Sequence, residues 1–130
     1  MIYCIDVDGT ICTITENQEY HKAIPVPEII NKINKLYDEG HTIKIATARG
    51  QTSGKDFSEL TSNQLEEWGV KYHEMWAKPS ADFYVDDKSL DPGSFLLGID
   101  YDITSSGVKR GFSEAGVNFF SREKLCQKES

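Results

Sequence analysis

Apolar residues along the chain follow two rhythms. Residues 2–7 (IYCIDV) form a short β-rich run that breaks at Asp8-Gly9-Thr10, which predicts a buried strand followed by a sharp loop. Residues 9–24 are mostly polar with scattered apolar positions and predict a flap or irregular hairpin. Pro25 and Pro27 then announce a helix, because proline is tolerated in a first turn. Ile29, Ile30, Ile33, Leu36 and Tyr37 recur at three- and four-residue steps and give that helix one apolar face, closed by Gly40. Residues 41–46 (HTIKIA) predict a second strand ending at Thr47-Ala48-Arg49-Gly50. Phe57, Leu60, Leu65 and Trp68 mark a second helix closed by Gly69, residues 70–76 hold a third strand, and residues 81–85 lead into Asp86-Asp87 as a fourth. Beyond Leu90 the pattern weakens: residues 95–99 suggest a strand, and residues 111–125 have no firm period.

Strands alternating with helices predict one domain over residues 1–130, built on a mainly parallel sheet with helices on its faces. In such sheets ligands bind in the crevice at the carboxyl ends of the strands. Asp6 and Asp8, Thr47, Lys78, and Asp86-Asp87 all fall at or just beyond those ends. Their convergence carries more information than any one of them.

Composition narrows the partners. The chain has 130 residues and a formal charge of −7, which weighs against nucleic acid and anionic membrane as main partners, since both need basic patches. The apolar runs are far shorter than the roughly 20 residues of a membrane span, and the N-terminus lacks a basic leader, so a cytoplasmic protein is expected. Cys4, Cys12 and Cys126 show no paired spacing, and Cys4 reads as a buried small hydrophobe in the first strand. His21, His41 and His73 have no metal-ligand spacing and read as surface or turn residues. Trp68 and Trp76 read as core or interface, and Lys88 as a surface lysine.

At a strand end, side chains at i and i+2 point to the same side, so the Asp6 and Asp8 carboxylates can face one reacting phosphorus. A carboxylate attacking a phosphate dianion meets repulsion that a divalent cation relieves, and Asp86 and Asp87 supply further oxygen ligands, so Mg2+ is expected. Asp6 is then the nucleophile that forms an acyl-phosphate. Asp8 protonates the leaving oxygen and later takes a proton from the hydrolytic water. Thr47 offers a hydroxyl to a phosphate oxygen, Lys78 a fixed positive charge, and the Gly9-Thr10 backbone N–H groups a cradle. Arg49, beside Ala48, admits two readings: a contact to substrate or a hold on a surface carboxylate.

Asp6-Val7-Asp8-Gly9-Thr10, Thr47, Lys78-Pro79 and Asp86-Asp87 resemble, in order, the four motifs of the haloacid dehalogenase (HAD) superfamily. The resemblance spans residues 1 to about 92 and implies a Rossmann-like three-layer α/β/α sandwich. Aspartate at position 8 implies the phosphatase and phosphomutase branch. The metal would be held by the Asp6 carboxylate, the Asp8 main-chain carbonyl and Asp86, with Asp87 direct or through water. Only 30 residues separate Thr47 from Lys78, and 17 separate Gly9 from Pro27, so there is no room for a large cap domain. Capless members act on large substrates or oligomerise so that a neighbour covers the site. The chain is also similar to short capsule or polysaccharide biosynthesis phosphatases, through its D-x-D-x-T-I-C start, T-A-R and Tyr84-Val85-Asp86-Asp87-Lys88. It departs from them at residues 50–54. The leading expectation is a phosphomonoesterase acting on a sugar phosphate or similar small metabolite. The alternatives are a polynucleotide 3′-phosphatase, or a non-catalytic binding or regulatory domain that keeps the fold.

Overall fold

The structure, a computed structural model, describes residues 1–99. Strand β1 is Ile2–Asp6 and helix α1 Pro27–Asp38; strand β2 is Thr42–Thr47 and helix α2 Ser58–Glu67. Strand β3 (Glu74–Ala77) and a short helix α3 (Pro92–Leu96) follow. The chain divides into two compact units, Met1–Asp82 and a second that begins at Phe83.

In the first unit the three strands are all parallel in the order β1-β2-β3, with Ile5 opposite Ile45 and Ile45 opposite Met75. Parallel strands joined by right-handed crossovers in consecutive order place both intervening helices on one face. The burial pattern agrees. Ile5, Val7, Ile43 and Ile45 are buried on that face, with Ile29, Ile30, Ile33 and Leu36 of α1 and Leu65 of α2. On the opposite face Ile2 and Trp76 are exposed, and so is Cys4. The expectation of a buried Cys4 therefore fails: its place in the pleat puts it on the face that α1 and α2 do not cover. Trp76 shares that face, with its indole N–H on the Glu74 carboxylate, and is not a core residue.

Both helices start and stop where proline and glycine direct. Pro27 takes the first helical position of α1. Gly40 at φ +94° lets the Gly40 and His41 N–H groups bond back to the Tyr37 and Leu36 carbonyls. Gly69 ends α2 in the same way, through the Glu66 and Leu65 carbonyls. Asn34 ties the ends together, donating to the Gly69 carbonyl and accepting from the Lys71 N–H.

The flap expected over residues 9–24 is a compact loop. Thr13 N–H donates to the Ile24 carbonyl, Ile24 N–H to the Thr13 hydroxyl, and a single 3₁₀ turn forms at Tyr20–Lys22. The crossover from β2 to β3 contains α2 and loops alone, so the described residues hold a Rossmann-like α/β arrangement without a large cap.

Two expectations fail in the second unit. Residues 81–85 form no strand, and Phe83 and Val85, which would have faced a core, are 86% and 99% exposed. The stretch suggested as a strand over 95–99 begins instead inside α3, because Asp91 caps the N-terminus by accepting from Ser94 N–H and Pro92 takes the first turn. Residues 111–125 and Cys126 lie outside the described residues. No helix among the described residues is long and apolar enough to cross a membrane.

Candidate active site

The carboxyl ends of β1 and β2 and the loops after them line a cavity of about 210 Å³. Its walls include Asp6, Asp8, Ala48, Arg49 and Gly50, with Gln18 and Tyr20 of the flap and Ser80 beyond β3. The sheet thus brings the β1 acids together with Ala48 and Arg49 of the T-A-R segment.

Asp6 ends β1, and Lys78 stands one residue past β3. The Lys78 main chain donates to the Thr47 carbonyl, which places its ammonium nitrogen 3.1 Å from Asp6 Oδ1. Burial raises the Asp6 pKa above the usual aspartate value; Lys78 and the Val7 N–H counter this in part, and the Asp8 charge adds to it. A half-buried carboxylate beside one ammonium and a second acid is a group that a further cation would stabilise.

The Asp8 loop is wound tightly. The Thr10, Ile11 and Cys12 N–H groups all point at the Val7 carbonyl, and Gly9 N–H donates to the Cys12 carbonyl at 2.7 Å. Gly9 sits at φ +86°, a conformation that costs other residues. This corrects one expectation: the Gly9 and Thr10 N–H groups serve the loop itself and are not left as a phosphate cradle.

Arg49 resolves differently from either of its two readings. Its side chain is 1% exposed, and the carboxylate it grips is Asp8, which lines the cavity. Nε donates to Asp8 Oδ2 at 2.9 Å and Nη2 to Asp8 Oδ1 at 2.8 Å. Nη1 donates to Thr61 Oγ1 at 3.1 Å and Gln64 Oε1 at 2.6 Å, both on α2, and Nη2 also reaches Cys12 Sγ at 3.7 Å. A guanidinium has five N–H donors, and here five protein atoms accept them. That leaves none for substrate, so the assignment of Arg49 to substrate binding is corrected. The Tyr20 ring packs on its face, 4.5 Å from the guanidinium carbon. Burial works against the Arg49 charge, but Asp8 outweighs it and the pKa is raised.

Thr47 is buried, and its hydroxyl accepts from Arg49 N–H at 3.1 Å. It lines an adjacent cavity of about 320 Å³ together with Arg49, Gly50, Phe57 and Thr61. Ala48 lines the first cavity. Asp86 and Asp87 stand exposed in the second unit, where Asp86 accepts from Lys88 N–H. Among the described residues no group of three or more His, Cys, Asp or Glu side chains is gathered as for a metal. Two histidines hold structure and the third is at the surface: His73 accepts from Ile43 N–H and stacks on Tyr37, His41 accepts from the N-terminal amine, and His21 is exposed in the 3₁₀ turn.

Sequence reasoning missed Thr61 and Gln64. A signal was present, since polar residues three apart on the inner face of α2 need a buried polar partner.

A family model described as haloacid dehalogenase-like hydrolase matches residues 3–69, just over half of the chain. The chain belongs to the haloacid dehalogenase-like hydrolases. This HAD chain is similar in fold to the crystal structure of an MCSG target from Vibrio cholerae, at TM-score 0.71 and 21% identity over 82% of this chain and 98% of that one. Weaker likenesses reach the D,D-heptose 1.7-bisphosphate phosphatase from B. bronchiseptica complexed with magnesium and phosphate (TM-score 0.47, 18% identity, 78% of this chain, 63% of that one). They also reach the Pnkp1/Rnl/Hen1 complex (TM-score 0.49, 16% identity, 75% of this chain, 34% of that one). No curated protein matches the sequence.

Proposed function

We propose that the protein is a magnesium-dependent phosphomonoesterase of the HAD type, working through an aspartyl-phosphate on Asp6. The observation that carries this is the pairing of Asp6 with Lys78 at 3.1 Å across the carboxyl ends of β1 and β3, on either side of β2, with Asp6 and Asp8 lining one cavity.

An Asp6 carboxylate oxygen attacks phosphorus and the bond to the ester oxygen breaks. Asp8 gives that oxygen a proton. In the second step Asp8 takes a proton from water, water oxygen bonds to phosphorus, and the Asp6 carboxylate leaves with release of inorganic phosphate. Asp8 Oδ1 accepts from both Arg49 Nη2 and the Cys12 thiol, whereas Oδ2 accepts from Arg49 Nε alone, so the second lone pair of Oδ2 is the one that would carry the proton. Lys78 opposes the charge that builds between nucleophile and phosphate.

The donor set fits a hard divalent cation. It consists of oxygens, and burial of Asp6 works against its negative charge. The Asp6 carboxylate and the Asp8 main-chain carbonyl would hold Mg2+, which when bound neutralises phosphate charge. Asp86 and Asp87 are the expected source of further ligands, and Asp86→Asn is the variant that tests this.

A small phosphorylated metabolite, a sugar phosphate of a surface-polysaccharide pathway foremost, is the substrate class we favour. The cavity's Gln18, Thr52, Ser53 and Ser80 suit a polyhydroxylated leaving group. The net charge of −7 speaks against a polynucleotide. We take residues 1–130 as one phosphatase domain acting in the cytoplasm, open to a second copy covering the site. Phosphate release from a panel of sugar phosphates, nucleotides and a 3′-phosphorylated oligonucleotide, with magnesium or chelator, tests the reading. Release that chelator does not diminish would contradict it, and preference for the oligonucleotide would overturn the substrate class.

A further inference from the structure

Gln64 occupies a position that the chemistry above does not use. It is buried on the inner face of α2, and the two ends of its amide face different parts of the site. Oε1 accepts from Arg49 Nη1 at 2.6 Å, and Nε2 donates to the Tyr20 carbonyl at 2.7 Å. The orientation of the amide is fixed by its neighbours: a guanidinium can only donate, and a carbonyl can only accept. Few side chains satisfy both. Glutamate keeps the acceptor but puts a carboxylate against a carbonyl, and leucine offers neither group.

Each end leads to a functional element. Through Arg49, whose other nitrogens fork onto both Asp8 oxygens, Gln64 sets the position of the acid–base carboxylate. Through Tyr20 it seats the flap, whose Ala23 N–H shares the same Tyr20 carbonyl at 3.1 Å. The Tyr20 ring in turn packs on the guanidinium and meets Phe57 edge-on, so the flap closes over the pair it is tied to.

We infer that Gln64 is a positioning residue: one side chain on α2 that aims Asp8, through Arg49, and latches the flap over the cavity. The catalytic half of this inference rests on the phosphatase reading, whereas the clamp itself does not. A group that aims a proton donor affects kcat more than KM, because misplacement is felt at the reacting atoms.

The test uses the full chain, wild type beside Gln64→Leu and Gln64→Glu. Without substrate, NMR hydrogen exchange follows the Arg49 Nε–H and the Ala23 amide. Gln64→Leu is expected to speed exchange at both by about tenfold or more, a change of about 1.4 kcal/mol in protection. Gln64→Glu is expected to keep the Arg49 Nε–H protected while releasing Ala23. Unchanged exchange at both sites in a folded Gln64→Leu would overturn the clamp. In turnover, Gln64→Leu is expected to lower kcat by about tenfold or more with KM within about threefold. An unchanged kcat despite faster exchange would overturn the catalytic half. Absence of phosphate release by the wild type would count against the phosphatase reading, and the exchange arm would then decide the clamp by itself.

Discussion

Arg49 meets Asp8 fork to fork, Nε to Oδ2 at 2.9 Å and Nη2 to Oδ1 at 2.8 Å, from a side chain almost entirely out of water. Removing one partner of a buried pair strands the other, which costs several times what an exposed pair contributes. Arg49→Ala also leaves the Thr61 and Gln64 acceptors without a donor. Urea unfolding should show a loss of about 3 kcal/mol or more, with Arg49→Lys falling between the two because a single ammonium lacks the fork. A loss near 0.5 kcal/mol, as at a surface site, would contradict this arrangement.

Asp6 has the reverse sign. Burial raises its pKa in the fold, so in metal-free protein the native state holds this proton to higher pH than the unfolded chain does. Stability from that proton is complete below the ordinary value of 3.8 and is lost as pH rises through the higher folded value. Metal-free Asp6→Asn should lack the decline, so its melting temperature should gain on the wild type from acid to neutral pH. Parallel curves would contradict the assignment.

Two glycines should differ in what they tolerate. At Gly9, φ +86°, an added Cβ would come 3.2 Å from Ile14 Cγ1, and Ile14 is exposed enough to yield. Gly9→Ala should then cost about 1–2 kcal/mol, mostly backbone strain. At Gly50 the Cβ would fall well inside contact distance of the Lys55 main-chain carbonyl, which has no such freedom. Gly50→Ala should be the more destabilising of the two in chemical denaturation, and the opposite order would count against the 50–55 loop as described.

The cysteines offer a check on burial. Cys4 is exposed on the sheet, while burial, with Asp8 adding to it, pushes the Cys12 thiol up to about 12. In a Cys126→Ser background, a thiol reagent at mildly alkaline pH should modify Cys4 and spare Cys12 until the protein unfolds. Modification of Cys12 at a rate like that of Cys4 would contradict the packing around Asp8.

Helices α1 and α2, strands β1 to β3 and the β1 acids were legible because their signals are local. A 3.6-residue period, Pro27 at the first turn and Gly40 and Gly69 at the ends define α1 and α2 without reference to tertiary contacts. The Asp6–Lys78 pair was legible as an order of motifs at strand ends. What escaped is non-local. Arg49 could be read as a substrate contact or as the partner of a surface carboxylate until α2 supplied Thr61 and Gln64, and Cys4 looked buried until the strand order left one face of β1 uncovered by α1 and α2. Residues 81–85 carried the composition of a strand, but a strand also needs a pairing edge, which composition does not report.

Asp6 is where the proposed chemistry stands or fails. Purified wild type and Asp6→Asn, matched for fold by circular dichroism, would be assayed for phosphate release with magnesium and with chelator, followed by acid quench, digestion at low pH and peptide mass measurement. Metal-dependent release in the wild type, a transient 80 Da adduct (about one HPO₃) on the peptide containing Asp6, and neither signal in Asp6→Asn are the expected results. Turnover retained by Asp6→Asn, or an adduct on a residue other than Asp6, would contradict the mechanism.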